Sequence, residues 1–212
     1  MEIIPSILTN DLREVEEKLA RAEGIVSKVQ IDVIDGQFVP NKTFDPSLLE
    51  DYETDLNLDF HLMTKEPILW VERVVRAQAE RVIGQIEKMT NQLEFVGKVQ
   101  ELGLSVGLAV DLETPISSLD PTILRDLDVV LLMSVPAGFS GQEFDPRVHD
   151  KIKELAKLRK KDKSPFKICV DGGITEEIAV DLAKKEVDEI ITGRLFHGDL
   201  AENFERWKKK IS

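Results

Sequence analysis

The chain has 212 residues, 42% hydrophobic and 32% charged, a globular composition rather than a disordered one. A balance of 28 basic against 40 acidic residues leaves a net charge of −12, which argues against a general nucleic-acid binder, since phosphate contacts need a basic face. No apolar run approaches the roughly 18 to 20 residues that cross a bilayer, and the acidic N-terminus lacks a signal peptide's basic region. A lone cysteine, Cys169, excludes both a disulfide scaffold and a multi-cysteine zinc site, and inside the apolar run FKICV it reads as a small buried hydrophobe. Together these features predict a cytoplasmic protein with no membrane or nucleic-acid partner.

Short β-rich runs alternate with amphipathic stretches along the whole chain. The first run, EIIPSI (2–7), leads into a helical pattern capped by Thr9 or Asn10, with Leu12, Val15, Leu19 and Ala22 on one face and Gly24 past its end. KVQIDVI (28–34), LNLDFHL (56–62) and RVIGQI (81–86) are the next strands. A helix over 91–102 presents Leu93, Val96, Val99 and Leu102 and closes on Gly103. After LSVGLAV (104–110) and DVVLLMS (128–134), Asp145-Pro146 opens a basic helix carrying Ile152, Leu155 and Leu158. FKICVD (166–171) precedes a helix capped by Thr175 with Ile178 and Leu182 on its apolar face. EIITG (189–193) precedes a last helix, LAENFERWKKKI, with its cations favourably near the C-terminus. Several strands are apolar almost throughout, as parallel strands buried on both faces must be. Eight βα units without a linker or repeat predict one α/β domain over 1–212, a (β/α)8 TIM barrel. The rival doubly wound sheet would carry a glycine-rich fingerprint after its first strand, where this chain reads LTNDL.

Barrel enzymes place their chemistry at the C-terminal ends of the strands. Those positions here hold Ser6; Gln30, Asp32 and Asp35; His61 and Met63; Gln85 and Glu87; Asp111; Met133 and Ser134; Asp171; and Gly193-Arg194. Asp32 and Asp171 are the informative pair, because a carboxylate at the end of an apolar strand is costly unless it is used or paired. The structural alternative is that each caps a helix or satisfies loop amides. His61 shares a strand face with Asp59 and Met63, and reads either as a satisfied core histidine or as a ligand beside the two carboxylates. Three glycine-bearing loops, AGFSGQ (137–142), DGG (171–173) and TGR (192–194), follow the last three strands, where barrels of this type cradle phosphate on backbone amides. Unaided, the residues describe an acid–base enzyme for a small phosphorylated substrate.

The ordered set PSIL (5–8), IDVIDGQFVPN (31–41), LDFHLM (58–63), LLMSVPAGFSGQ (131–142), VDGGI (170–174) and ITGRLF (191–196) resembles the ribulose-phosphate 3-epimerase family over nearly the whole chain. The resemblance implies a ribulose-phosphate-binding barrel that interconverts D-ribulose 5-phosphate and D-xylulose 5-phosphate in the pentose phosphate pathway, and an assembly of two or more copies. It implies that Asp32 and Asp171 exchange the C3 proton through an ene-diolate, and that a divalent metal (zinc, iron, manganese or magnesium) is held by Asp32, His61 and Asp171. Ser6, His61, Met63 and Met133 match positions around the sugar. Gly138, Ser140, Gly141, Gly172, Gly173, Gly193 and Arg194 match the phosphate-binding loops.

The chain also departs from the family pattern. Gln30 stands where the first metal-binding histidine is expected, Ile34 replaces a methionine, and Gln85 stands at a further histidine position. The loop after strand six carries Pro136, Ala137 and Ser140 as substitutions, and Arg194 replaces a small serine. An amide oxygen is a harder, weaker donor than imidazole, so Gln30 predicts weaker metal binding, with manganese or magnesium tolerated as well as zinc. Arg194 reads either as a bidentate phosphate donor or as an outward partner of Asp199. Two further functions stay open: a phosphosugar-binding relative that no longer turns over, and a 3-epimerase for a phosphohexulose. A related decarboxylase would need Asp-x-Lys-x-x-Asp, and the corresponding stretch is Gln30-Ile31-Asp32.

Overall fold

The computed structural model describes residues 1–162 and 166–211. Residues 163–165 and 212 of the expected 1–212 unit lie outside them. Eight parallel strands close into a barrel in sequence order: β1 (Glu2–Ile7), β2 (Lys28–Ile34), β3 (Asn57–Met63), β4 (Ala79–Gln85), β5 (Ser105–Val110), β6 (Val129–Met133), β7 (Lys167–Asp171) and β8 (Glu189–Thr192). β8 returns to β1 in the register Glu2↔Glu189 through Pro5↔Thr192, so no sheet edge remains exposed.

The crossovers are α1 (Leu12–Ala22), α2 (Val71–Arg76), α3 (Gln92–Glu101), α4 (Val148–Asp162), α5 (Glu176–Leu182) and α6 (Leu200–Ile211). After β2 and β5 the described chain crosses back with short 3-10 turns instead of an α-helix, at Pro46–Leu49 and at Ile116–Ser118 and Leu124–Asp126. The first helix is capped by Asp11, whose carboxylate accepts from the Arg13 amide at 2.9 Å, and not by Thr9 or Asn10. Thr9 is occupied elsewhere, donating to Glu14 at 2.5 Å. The apolar face of α3 is set by Phe95, Val96 and Val99, while Leu93 points outward at 58% exposure. Asn91 and Thr175 cap their helices as expected.

Strand alternation divides the buried residues in two. One set, including Val29, Ile31, Phe60, Leu62 and Val82, faces the surrounding helices; the other, including Ile4, Ile83, Leu131, Cys169 and Ile191, fills the barrel interior. Cys169 is fully buried, and burial pushes its thiol well above the ordinary range, consistent with packing rather than reactivity.

The N-terminal end of the interior is charged. Arg81 of β4 lies between Asp59 of β3 and Glu189 of β8, all three buried; it pairs with Asp59 and stands 2.8 Å from Glu189. Lys167 reaches Glu189 at 2.6 Å, and Lys28 lies 3.9 Å from Asp59. The cluster leaves no member as a lone buried charge, the condition under which such groups are tolerated.

Candidate active site

Parallel register sets the residues at the opposite, C-terminal end. Asp32 lies beside His61, Met133 beside Asp171, and Ser6 beside Gln30, so these side chains share the inner face of the sheet. Gln30 is fully buried and joins the two carboxylates: its Nε2 donates to Asp32 Oδ1 at 2.9 Å and to Asp171 Oδ2 at 3.1 Å. His61, also fully buried, lies with Nδ1 3.3 Å from Asp32 Oδ1 and Nε2 2.7 Å from Gln85 Oε1. The Gln85 contact orients the ring so that Nδ1 faces Asp32.

Burial, and after it the charge of Asp32, push the Asp171 carboxyl up to about 7. Burial disfavours the His61 cation, but its contact with Asp32 and the two carboxylate charges outweigh that and raise its pKa. Donor atoms of Asp32, His61 and Asp171 all lie within 4.8 Å of one another, a group able to hold a metal ion. Among the described residues, three buried atoms around it have no hydrogen-bond partner, His61 Nδ1, Gln30 Oε1 and Gln85 Nε2. Two carboxylates, a deprotonated imidazole nitrogen and a spare amide oxygen suit a divalent cation chemically.

Above the carboxylates opens a cavity of about 440 Å³. Ser6, Asp32, Met63, Met133 and Asp171 line its floor and walls. Gly138, Ser140, Gly141, Gly172, Gly173, Gly193 and Arg194 bring the last three loops to it. His61 is the exception among the expected sugar neighbours: it lies beneath the carboxylates and does not reach the cavity wall, because its ring is taken up between Asp32 and Gln85.

The phosphate-type loops interlock closely. Gly173 has φ +59°, and a Cβ there would come within 2.3 Å of the Phe144 amide nitrogen. Ser134 secures the same corner, its hydroxyl donating to the Asp171 carbonyl at 2.8 Å. Arg194 is exposed at the rim and makes no ion pair among the described residues; Asp199, its suggested partner, instead accepts from the Glu202 amide at 2.9 Å. Lys18 and His197, which the sequence reading passed over, line the same end. Lys18 was legible only as the partner of Glu14 one helical turn earlier, at 2.6 Å.

A closed eight-stranded parallel barrel with paired carboxylates across its C-terminal mouth defines the class, a (β/α)8-barrel enzyme. Residues 2–197 match the model of the Ribulose-phosphate 3 epimerase family. The Ribulose-phosphate 3-epimerase of Bacillus subtilis is 33% identical over 202 residues, covering 93% of each chain, and that of Chlamydia muridarum is 36% identical over 206 residues, covering 92% of this chain and 87% of its own. The chain belongs to the ribulose-phosphate 3-epimerase family. Among solved structures it is similar in fold to a phosphoribosyl anthranilate isomerase from Thermus thermophilus, with a TM-score of 0.66, 15% identity and 99% of each chain covered.

Proposed function

We propose that the chain, acting as a single barrel unit, interconverts D-ribulose 5-phosphate and D-xylulose 5-phosphate by proton transfer at C3. The observation that carries this reading is the pair Asp32 and Asp171, held at one floor of one cavity by a shared amide donor. One carboxylate removes the C3 proton to give an ene-diolate, and the other returns a proton to the opposite face. Burial and the neighbouring Asp32 charge raise the Asp171 carboxyl, which makes it a stronger proton acceptor than a solvent-exposed carboxylate. Met63 and Met133 supply an apolar wall around the sugar, and the loops bearing Gly138, Gly172 and Gly193, with Arg194, form the phosphate end. Asp32, His61 and Asp171 would hold a divalent cation, which when bound polarises the C2 carbonyl as a Lewis acid.

The test is solvent exchange. Purified protein incubated with D-ribulose 5-phosphate in deuterated water is expected to incorporate deuterium at C3 and form xylulose 5-phosphate. No exchange with zinc, iron, manganese or magnesium supplied would overturn the reading. Gln30 favours a second reading, a phosphosugar-binding relative without turnover, whose result would be thermal stabilisation by the sugar phosphate in the absence of exchange. Exchange on a phosphohexulose but not on the pentulose would move the substrate to the longer sugar.

A further inference from the structure

Gln30 is the residue of this site that has two ways to serve it. As found, both hydrogens of its amide nitrogen are committed to carboxylates, one on Asp32 and one on Asp171. Its oxygen is buried with no hydrogen-bond partner. A primary carboxamide turned half a revolution about its last bond exchanges nitrogen and oxygen with almost no change of shape. The electrostatics of the two positions are opposite. Nitrogen inward, the amide hydrogens screen two buried carboxylates from each other. Oxygen inward, three acceptor groups face one another, an arrangement that needs a cation or a shared proton between them. The neighbouring ring points the same way: His61 Nδ1 is buried beside Asp32 with no hydrogen-bond partner among the described residues.

We infer that the Gln30 carboxamide is a two-position element: nitrogen inward, it clamps Asp32 and Asp171 together without a cation, and oxygen inward, it becomes a fourth ligand to a divalent cation on Asp32, His61 and Asp171. The inference rests on the reading that those three residues hold such a cation. Binding then requires two hydrogen bonds to be broken and a hard oxygen donor to be gained. The site should therefore exchange its metal readily and remain assembled when the metal is removed.

Nuclear magnetic resonance on the 15N-labelled whole protein reads the amide directly. The Gln30 side-chain NH2 pair is identified as the one missing from Gln30→Met, or by through-bond assignment in the native protein if that variant does not fold. After chelation the two protons should be shifted downfield and protected from solvent exchange. Saturation with diamagnetic zinc or magnesium, followed independently by calorimetry, should move the pair upfield as both carboxylate hydrogen bonds are lost. Calorimetric binding with an unmoved NH2 pair would overturn the two-position element and leave the metal reading standing. No calorimetric binding of zinc, magnesium or manganese would overturn the metal reading, and the oxygen-inward position with it. The clamp has its own measurement: chelated Gln30→Met should melt several degrees below the chelated native protein, and equal melting temperatures would overturn it.

Discussion

In the proposed reaction Asp32 and Asp171 transfer the C3 proton, and substituting either would separate that step from binding. Asparagine keeps the shape of the side chain but cannot accept a proton, so Asp32→Asn and Asp171→Asn should each lower kcat by several orders of magnitude while phosphosugar affinity survives. Near-normal turnover in either variant would remove that residue from the reaction. Gln30→His tests the donor beside them. Imidazole is the stronger ligand for zinc, so this variant should bind zinc at least about tenfold more tightly in chelator competition, and unchanged affinity would count against a ligand role for position 30. At the rim of the cavity Arg194 offers an exposed guanidinium that makes no ion pair among the described residues. Charge-assisted hydrogen bonds of this kind contribute about 1.5 to 3 kcal/mol, so Arg194→Ser should weaken binding of phosphosugars and of inorganic phosphate by roughly tenfold to a hundredfold. Affinity for an unphosphorylated pentulose should hardly change. Equal phosphate affinity in the two proteins would place the guanidinium outside the site.

At the scale of elements, the loops after β6 and β7 act as one piece because Gly173 sits against the backbone of residues 143–144. In Gly173→Ala the new methyl would stand 2.3 Å from Phe144 N and 2.8 Å from Glu143 C, at a backbone φ that side chains avoid. The combined cost is on the order of 3 kcal/mol, which in a chain of this size lowers the Tm by about 6 to 12 °C. A thermal melt that matches the native protein would show that the loops part without penalty. This interlock was only half legible: DGG announced a turn, but the distant backbone that makes glycine obligatory is invisible in a linear sequence. The same division runs through the other elements. Eight strands were readable because burial on both faces leaves long apolar runs. The apolar face of α3 was misjudged at Leu93, since a short helix leaves several faces open and packing against its neighbours chooses Phe95 instead. Asp11 displaced Thr9 as the cap once Thr9 found Glu14. The carboxylate pair was legible from strand ends alone, whereas the amide bridge between them was not, because it depends on strands that meet only when the barrel closes.

For the whole molecule, the buried charges at the N-terminal end tie stability to pH. Burial, only partly offset by Arg81 and Lys28, pushes Asp59 up to about 6 from its usual 3.8. A carboxyl whose folded pKa is raised stabilises the fold fully below its unfolded pKa and loses that contribution as pH climbs through the folded value. Glu189 runs the other way: burial disfavours its charge, but Arg81 and Lys167 outweigh that and hold it below the usual range, so its contribution is lost in acid. Asp59→Asn isolates the first effect. Measured by urea unfolding, the stability of the native protein relative to Asp59→Asn should fall by about 2 kcal/mol between about pH 4 and pH 7. A difference that stays flat over that range would show that Asp59 keeps its charge throughout.

The charged layer of Asp59, Arg81 and Glu189 also decides how traffic moves. With that end of the barrel stopped by paired ions and the middle filled by aliphatic side chains, the cavity opens among the described residues at the C-terminal mouth. Whatever enters must turn round and leave by the way it came, past the same glycine loops and Arg194. In a reversible reaction the departing product and the arriving substrate therefore queue for one threshold, and each bars the other while it stands there.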